Sequence, residues 1–271
     1  MPSPDSNPSH PVTERDLAQF FGGIRSRLNR EARPYVTSFT RIHLDRFFRV
    51  AGHHIAASEK ARLHRDRKLA TGFNVFHFIE PDENRLSDVL AFLLDPKEAH
   101  GQGDHFLRLI FDQLGVAVDF EHTRKATVQR EAATHNILNC RRRMDILVHA
   151  GHWLAIENKV DSPEQPEQVK DYLEHLHYYT RRSSVEAALI YLSPNGRPPE
   201  SVSRALIGEL KASGKLHCWS YQVDLRQWLY RCRRDCVAPK IRAFVSDLMA
   251  YLETHFQREK VNISEEENYE E

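Results

Sequence analysis

The sequence predicts an α/β protein of the α+β type, in which helices cover one mixed sheet. Three observations predict this fold class. Helical patterns fill both ends of the chain, short apolar runs typical of strands fill the middle, and further helical patterns separate the later strands. That order places antiparallel and parallel strands in one sheet. With 271 residues and 41% hydrophobic side chains, the chain is long enough to bury a sizeable core.

The first helical region is expected from Glu14 to about Leu69, with an interruption where a proline follows Arg33. A second helix follows Asp82, which is a plausible N-cap because its short carboxylate can accept a backbone N–H. A third helix is expected to start near the cap residue Asp104 and to end at Gly115.

Short runs of β-branched and apolar residues, bounded by turn residues, predict five strands. They are expected at 128–132, 144–150, 152–160, 187–192 and 216–221. A helix that begins near Pro166 separates the third strand from the fourth, and another separates the fourth from the fifth. Two amphipathic helices, at about 224–234 and 239–257, close the fold.

Composition excludes several classes of protein. Charged residues make up 28% of the chain, which is ordinary for a folded protein, and no apolar run approaches the roughly 20 residues that span a bilayer. The proline-rich N-terminus has no apolar signal-peptide core, so we expect a cytoplasmic protein without a membrane segment. The four cysteines and 16 histidines follow no metal-ligand spacing, and we expect the cysteines to be reduced packing residues.

We expect four segments: a disordered lead (1–12), a basic helical region (13–72), the α/β domain (73–257) and an acidic tail (258–271). Residues 24–70 contain twelve Lys and Arg against four Asp and Glu, although the whole chain has no net charge. A basic segment in a neutral protein can bind a polyanion such as nucleic acid, and the alternative is a solvated helix face.

The second and third predicted strands carry charged residues that need an explanation. Asp145 interrupts one apolar strand, and Glu157 and Lys159 end the next one. A charge in a buried strand costs several kcal/mol unless it is paired or binds a metal. The pattern of an acid two residues before a lysine is weak by itself, because it recurs elsewhere in the chain. Only this copy ends an apolar strand whose hairpin partner carries an aspartate.

The hairpin register decides whether these carboxylates meet. A three-residue turn at 149–151, with Gly151 in the left-handed conformation, pairs Asp145 with Ala155 and makes Asp145 a diagonal neighbour of Glu157. A two-residue turn at 150–151 would instead place Asp145 on the opposite face and break the site. Two carboxylates and a nearby backbone carbonyl are ligands that Mg²⁺ prefers. Lys159 could then orient an attacking water and offset charge on a phosphate. The alternative is an ion pair between Glu157 and Lys159 on an edge strand.

At these residues the chain resembles the PD-(D/E)XK nuclease superfamily. The resemblance extends over residues 73 to about 255, and includes FNVFHFIEPDENRLSDVLAFLLDPKEAHGQGDHFL at 73–107. It also includes Gln168 and Tyr172, which match a Gln-x-x-x-Tyr signature, and Tyr221 near the C-terminus. One departure is that Met144 stands where the proline of the family name is expected. The resemblance implies a restriction-endonuclease-like core with helical additions at both ends.

The resemblance also implies roles for single residues. Asp145, Glu157 and the backbone carbonyl of Asn158 would bind the metal, with Glu83 as an additional acid, and Lys159 would complete the catalytic set. Gln168 and Tyr172 would position a DNA phosphate or the lysine. Alternatives stay open for three of them: Glu83 as a helix-terminal acid, Gln168 as a solvent-facing residue and Tyr172 as a core aromatic.

The implied activity is hydrolysis of phosphodiester bonds with Mg²⁺, for which Mn²⁺ could substitute. DNA is the expected substrate and RNA the alternative, a homodimer is one expected form, and phage defence is one expected role. A competing hypothesis is a catalytically silent module of the same fold that binds nucleic acid or protein.

Overall fold

The computed structural model describes residue 19 and residues 22–23, 38–134, 142–160, 162–181 and 185–266. The chain divides into two compact units, Met1–Phe73 and Asn74–Glu271. The predicted lead (1–12) and the first part of the predicted basic region, including Arg33, lie outside the described residues. No helix in the described ranges is long and apolar enough to cross a membrane.

The described part of the first unit is dominated by one helix, α1 (Ser38–Leu69). Most of its side chains are exposed, and its last turn carries Arg67 and Lys68, which suit the negative end of the helix dipole. The helical pattern predicted for this part of the chain is therefore present, and it carries much of the basic segment.

The second unit contains the five strands found among the described residues. Its helices are α2 (Val75–Ile79), α3 (Glu83–Leu94), α4 (His105–Gln113), α5 (Phe120–Arg124), α6 (Gln168–Thr180), α7 (Arg204–Ala212), α8 (Arg226–Asp235) and α9 (Pro239–Glu266). Its strands are β1 (Thr127–Ala133), β2 (Arg143–His149), β3 (Trp153–Asn158), β4 (Ala187–Ser193) and β5 (Leu216–Ser220), and a π-helix (Tyr221–Leu225) joins β5 to α8. The short helices α2 and α5 and the π-helix were not predicted, because segments of five residues carry too few periods to be recognised.

The five strands form one sheet in the order β1-β2-β3-β4-β5. The first three strands pair antiparallel, whereas β3–β4 and β4–β5 pair parallel. This is the mixed sheet that the order of elements predicts. Strand β3 lies at its centre, so the expectation that an ion pair of Glu157 and Lys159 would lie on an edge strand is wrong about the edge, although the two residues do form an ion pair.

The predicted hairpin register is wrong by two residues. His149 pairs with Trp153 and Leu147 with Ala155, so the three-residue turn is 150–152 instead of 149–151. Gly151 does adopt the left-handed conformation, with a φ of 76°. The shift brings Asp145 opposite Glu157 itself, one step beyond the pair of Ile146 and Ile156.

Each face of the sheet packs against its own helices. Ile156 and Leu192 lie in a core with α3, α4, α8 and α9, whereas Ala155 and Tyr191 lie in a second core with α6 and α7. Alternate residues of β3 therefore point into different cores, as the pleat of a strand requires. Near the C-terminal end of α8, Cys232 is buried and free of a disulfide, as expected of a packing residue.

The two predicted helix caps behave differently. Asp82 is the N-cap of α3 and accepts a hydrogen bond from the Arg85 amide at 2.8 Å, as predicted. Asp104 occupies the N-cap position of α4 but caps no amide; its carboxylate instead accepts a hydrogen bond from the Thr123 hydroxyl at 2.5 Å. A tertiary contact with α5 has replaced the local one.

Candidate active site

The end of the central strand β3 places three consecutive polar residues inside the protein. Glu157 is 2%, Asn158 0% and Lys159 6% exposed. Lys159 Nζ lies 3.1 Å from Glu157 Oε1, so the two side chains form a buried ion pair. Because the desolvation of two buried charges offsets much of their attraction, this pair needs further polar partners.

Asp145 reaches the same place from the neighbouring strand β2. Its Oδ2 accepts a hydrogen bond from the backbone amide of Asn158 at 2.7 Å, so the carboxylate takes the place of a ladder carbonyl. Burial raises the pKa of Asp145, and the hydrogen bond from Asn158 offsets part of that effect. The nearby charge of Glu83 raises it further. The site thus gathers several negative charges in a region of low dielectric.

The two carboxylate oxygens of Glu157 have different surroundings. Oε1 accepts hydrogen bonds from Gln168 Nε2 at 2.6 Å and from Lys159. Oε2 is buried and has no hydrogen-bond partner among the described residues. Burial, and then the charge of Asp145, raise the pKa of Glu157 to about 8. A buried acceptor without a donor is costly, which indicates that something else normally contacts Oε2.

Gln168 and Tyr172 lie one turn apart on α6 and both face this site. Gln168 Nε2 lies 2.9 Å from the Tyr172 hydroxyl, which donates to the backbone carbonyl of Arg143 at 2.6 Å. Both side chains are buried, so Gln168 does not face solvent, and Tyr172 belongs to the core while its hydroxyl contacts the site. In this structure they support Glu157 from the α6 side of the sheet.

Glu83, at the first turn of α3, lies on the other side. Its Oε2 accepts hydrogen bonds from the backbone amides of Val160 at 2.8 Å and Ser162 at 3.4 Å. It thereby connects the start of α3 to the residues that follow Lys159. Glu83 is therefore more than an acid that favours the helix N-terminus, because its hydrogen bonds join two elements that are distant in sequence.

Sequence reasoning assigned a metal contact to the Asn158 carbonyl but missed the role of its side chain. Asn158 Nδ2 donates to the carbonyl of Glu83 and to the hydroxyl of Ser87, both at 3.0 Å, and its Oδ1 accepts from the Tyr221 hydroxyl at 2.5 Å. One signal was available: Ser87 interrupts the apolar face of α3, where a lone serine often has a buried partner.

Two arginines near the site were also missed. Arg130 donates to the backbone carbonyl of Asp145 and, at 2.7 Å, to Asp88 on α3. Arg142 forms a largely buried ion pair with Asp171 and donates to Gln165 at 2.7 Å, which fixes the segment before α6. Arg142 lies within a run of three arginines at 141–143 and Arg130 stands alone on a predicted strand, so no pattern in the sequence distinguished either of them.

The donor set fits a divalent cation. Within the described ranges, no group of three His, Cys, Asp or Glu side chains lies close enough to bind a metal ion. Two carboxylates from Asp145 and Glu157 are available, and Mg²⁺ completes its shell with carbonyls and water. A bound cation would contact Glu157 Oε2, which has no partner among the described residues. It would also lower the pKa values of Asp145 and Glu157, which burial raises.

A mixed sheet with two acids and a lysine at the ends of adjacent central strands defines a nuclease-like α/β protein. A family model for the PD-(D/E)XK nuclease superfamily matches residues 73–256. The chain belongs to this superfamily. Neither the comparison with curated proteins nor the comparison with solved structures found a match.

Proposed function

We propose that this protein is a Mg²⁺-dependent nuclease that hydrolyses phosphodiester bonds in DNA. The observation that carries the proposal is the buried Oε2 of Glu157, which has no hydrogen-bond donor among the described residues and lies beside Asp145 and Lys159. A structural ion pair alone would leave this oxygen unsatisfied, whereas a metal ion would satisfy it.

Asp145, Glu157 and the backbone carbonyl of Asn158 would bind the ion, with Glu83 as a further acid. Bound Mg²⁺, or Mn²⁺ in its place, would lower the pKa of a water molecule and stabilise negative charge on the phosphate. Asp145 is already oriented by its hydrogen bond from Asn158, and Glu157 by its hydrogen bond from Gln168. The chain therefore supplies rigid oxygen ligands from two adjacent strands.

Lys159 is proposed to act on the substrate directly. Its ammonium lies 3.1 Å from Glu157, so a phosphate held by an ion on Glu157 would lie close to Lys159. An ammonium in a site of low dielectric stabilises developing phosphate charge more strongly than it would in water. It can also donate a hydrogen bond that orients the attacking water. Gln168 and Tyr172 would hold this arrangement in place.

The basic segment 24–70 is proposed to contribute sequence-independent contacts with DNA phosphates. It carries an excess of eight positive charges, and α1 presents most of its side chains to solvent. Each phosphate contact releases a bound counterion, so affinity should fall steeply as salt increases. An affinity that is unchanged between low and moderate salt would contradict this contribution.

The test is cleavage of supercoiled plasmid and of labelled single-stranded DNA and RNA, with Mg²⁺, with Mn²⁺ or with EDTA. Wild type is compared with Lys159→Ala and, as a matched control, with Lys170→Ala, whose exposed lysine forms an ion pair with Glu167. We expect metal-dependent cleavage of DNA that is lost in Lys159→Ala and kept in Lys170→Ala. Cleavage that survives Lys159→Ala would refute the assigned site.

A catalytically silent binding module is the second candidate. The near-complete burial of Glu157 and Lys159 favours it, because a closed ion pair cannot contact a phosphate without some opening of the site. This candidate predicts that the protein binds DNA with equal affinity in wild type and Lys159→Ala, and cleaves neither DNA nor RNA with either metal.

A further inference from the structure

The second unit contains a cavity of about 550 Å³ at the edge of the sheet where β3, β4 and β5 begin. Trp153 at the start of β3, Ala187 at the start of β4 and Lys215 just before β5 all line it. Glu157 lies four residues further along β3, roughly 13 Å away at the rise of a strand. The cavity is therefore distinct from the candidate active site.

The inner wall of the cavity is apolar and comes from both cores. Phe111 contributes from α4, and Leu173, Leu176 and Leu210 contribute from α6 and α7. The cavity opens to solvent, and its lining combines these apolar side chains with polar and charged ones. Its volume lies within the range of pockets that bind small organic ligands.

One wall is held rigid by aromatic stacking. The ring of Trp153 lies between His149 and Tyr179, with both centroid distances at 4.2 Å. Both faces of the indole are therefore occupied, and only its edge can contact a ligand. A wall that does not rearrange lowers the entropy lost when a ligand binds.

Basic residues line the cavity beside this apolar wall. Arg181 and Lys215 both line it. The Arg181 guanidinium lies 4.2 Å from the Tyr178 ring, and His177 is a further nitrogen donor nearby. Glu186 is the acidic residue of the lining, so the fixed charges of the cavity leave a net positive site.

We propose that this cavity binds a small amphipathic organic anion. The apolar part of the ligand packs against Leu173 and Leu210, and its sulfonate, phosphate or carboxylate group lies between Arg181 and Lys215. Both features are needed: the apolar wall supplies affinity through burial, and the two cations select for negative charge. A free inorganic anion has no apolar part and leaves that wall uncovered.

The test uses two fluorescent probes that differ in one group. Anilinonaphthalene sulfonate carries an anionic group, and phenylnaphthylamine has the same aromatic body without it. We expect saturable binding of the anionic probe, at least about tenfold weaker binding of the neutral one, and no displacement by inorganic phosphate. Equal affinity for both probes, or displacement by phosphate alone, would overturn the proposal.

Substitutions of the lining residues test whether the probe binds in this cavity. The double substitution Arg181→Glu with Lys215→Glu should lower the affinity for the anionic probe at least about tenfold. The control is Lys170→Glu with Lys211→Glu, which makes the same change of net charge at exposed residues of α6 and α7 outside the cavity. Leu210→Trp, which fills the cavity, should weaken both probes, with its melting temperature as a check of folding. Unchanged affinity in the charge-reversed double variant would overturn the proposal.

Discussion

Glu157 and Asn158 are neighbours on one strand, yet their surroundings differ in kind. Both side-chain polar atoms of Asn158 are hydrogen bonded, to Glu83, Ser87 and Tyr221, on the face that packs against α3. On the opposite face, Glu157 has one oxygen with two donors and one with none among the described residues. A complete network stabilises a fold, whereas an incomplete buried network indicates a ligand site.

The largest effect that would test this contrast is expected from Asp145→Asn, which keeps the size of the side chain and removes its charge. If the face of β3 that carries Glu157 binds the metal, the rate of cleavage in Mg²⁺ should fall at least about a thousandfold, because the essential groups of one site act as a unit. Single-turnover cleavage measures this. The amide can donate as well as accept, so circular dichroism and melting temperature must confirm that the variant is folded.

Cleavage in Asp145→Asn within tenfold of wild type would place the metal elsewhere. Asp88→Asn is the matched control, because Asp88 is an exposed carboxylate on α3 that contacts Arg130 and is not a proposed ligand. It should cut at close to the wild-type rate.

Metal removal should lower stability through the carboxylates that bind the ion, and Asp145 is one of them. A ligand that binds only the folded state at a hundred times its Kd adds about 2.7 kcal/mol to the free energy of unfolding. We therefore expect urea denaturation midpoints to be higher in Mg²⁺ than in EDTA for wild type, and equal in both for Asp145→Asn. The same shift in Asp145→Asn as in wild type would show that Mg²⁺ binds another site.

A smaller effect is expected from Gln168→Ala, which removes the side chain that orients Glu157. Residues that support metal ligands typically contribute tenfold to a hundredfold in metal affinity. The concentration of Mg²⁺ at half-maximal cleavage should rise by about that factor, whereas the rate at saturating Mg²⁺ should change less. A lower rate with unchanged Mg²⁺ dependence would show that Gln168 acts on the substrate instead. Gln165→Ala, on the segment before α6, is the nearby comparison.

Much of the fold, and the charged residues that form the candidate site, could be predicted from the sequence. The strand pattern and the Asp82 cap were correct, because periodicity and local hydrogen bonding determine them. The charges at Asp145, Glu157 and Lys159 stand out in the sequence because they interrupt or end apolar strands. The hairpin register was not correct, since three-residue turns at 149–151 and 150–152 fit the same Gly151 equally well.

The partners in the supporting contacts could not be predicted. Tyr221 lies 63 residues from Asn158, and Ser87 lies 71 residues from it, so their meeting depends on how α3 and the π-helix pack on the sheet. No local pattern in one sequence contains that information. Gln168 was found only because it matches a family signature. The signature indicated that Gln168 belongs to the site, but not that its side chain donates to Glu157.

The smallest effect, and the sharpest test of the contrast, is expected from Tyr221→Phe. The hydroxyl of Tyr221 satisfies Asn158 Oδ1, and its loss leaves a buried acceptor unpaired, which costs about 1–3 kcal/mol in the free energy of unfolding. The ring keeps its stacking on Phe256 at 4.3 Å, so packing is preserved. Tyr230→Phe, at an exposed tyrosine of α8, is the control and should not change stability.

If the two faces are separate, Tyr221→Phe should lower the denaturation midpoint while cleavage at saturating Mg²⁺ stays within about tenfold of wild type. The reason is that Asn158 contributes its backbone to the site and its side chain to the opposite core. A variant that is as stable as wild type but has lost cleavage would reverse this assignment. In that case the Asn158 network would act on the reaction by positioning the carbonyl, and both faces of β3 would belong to one site.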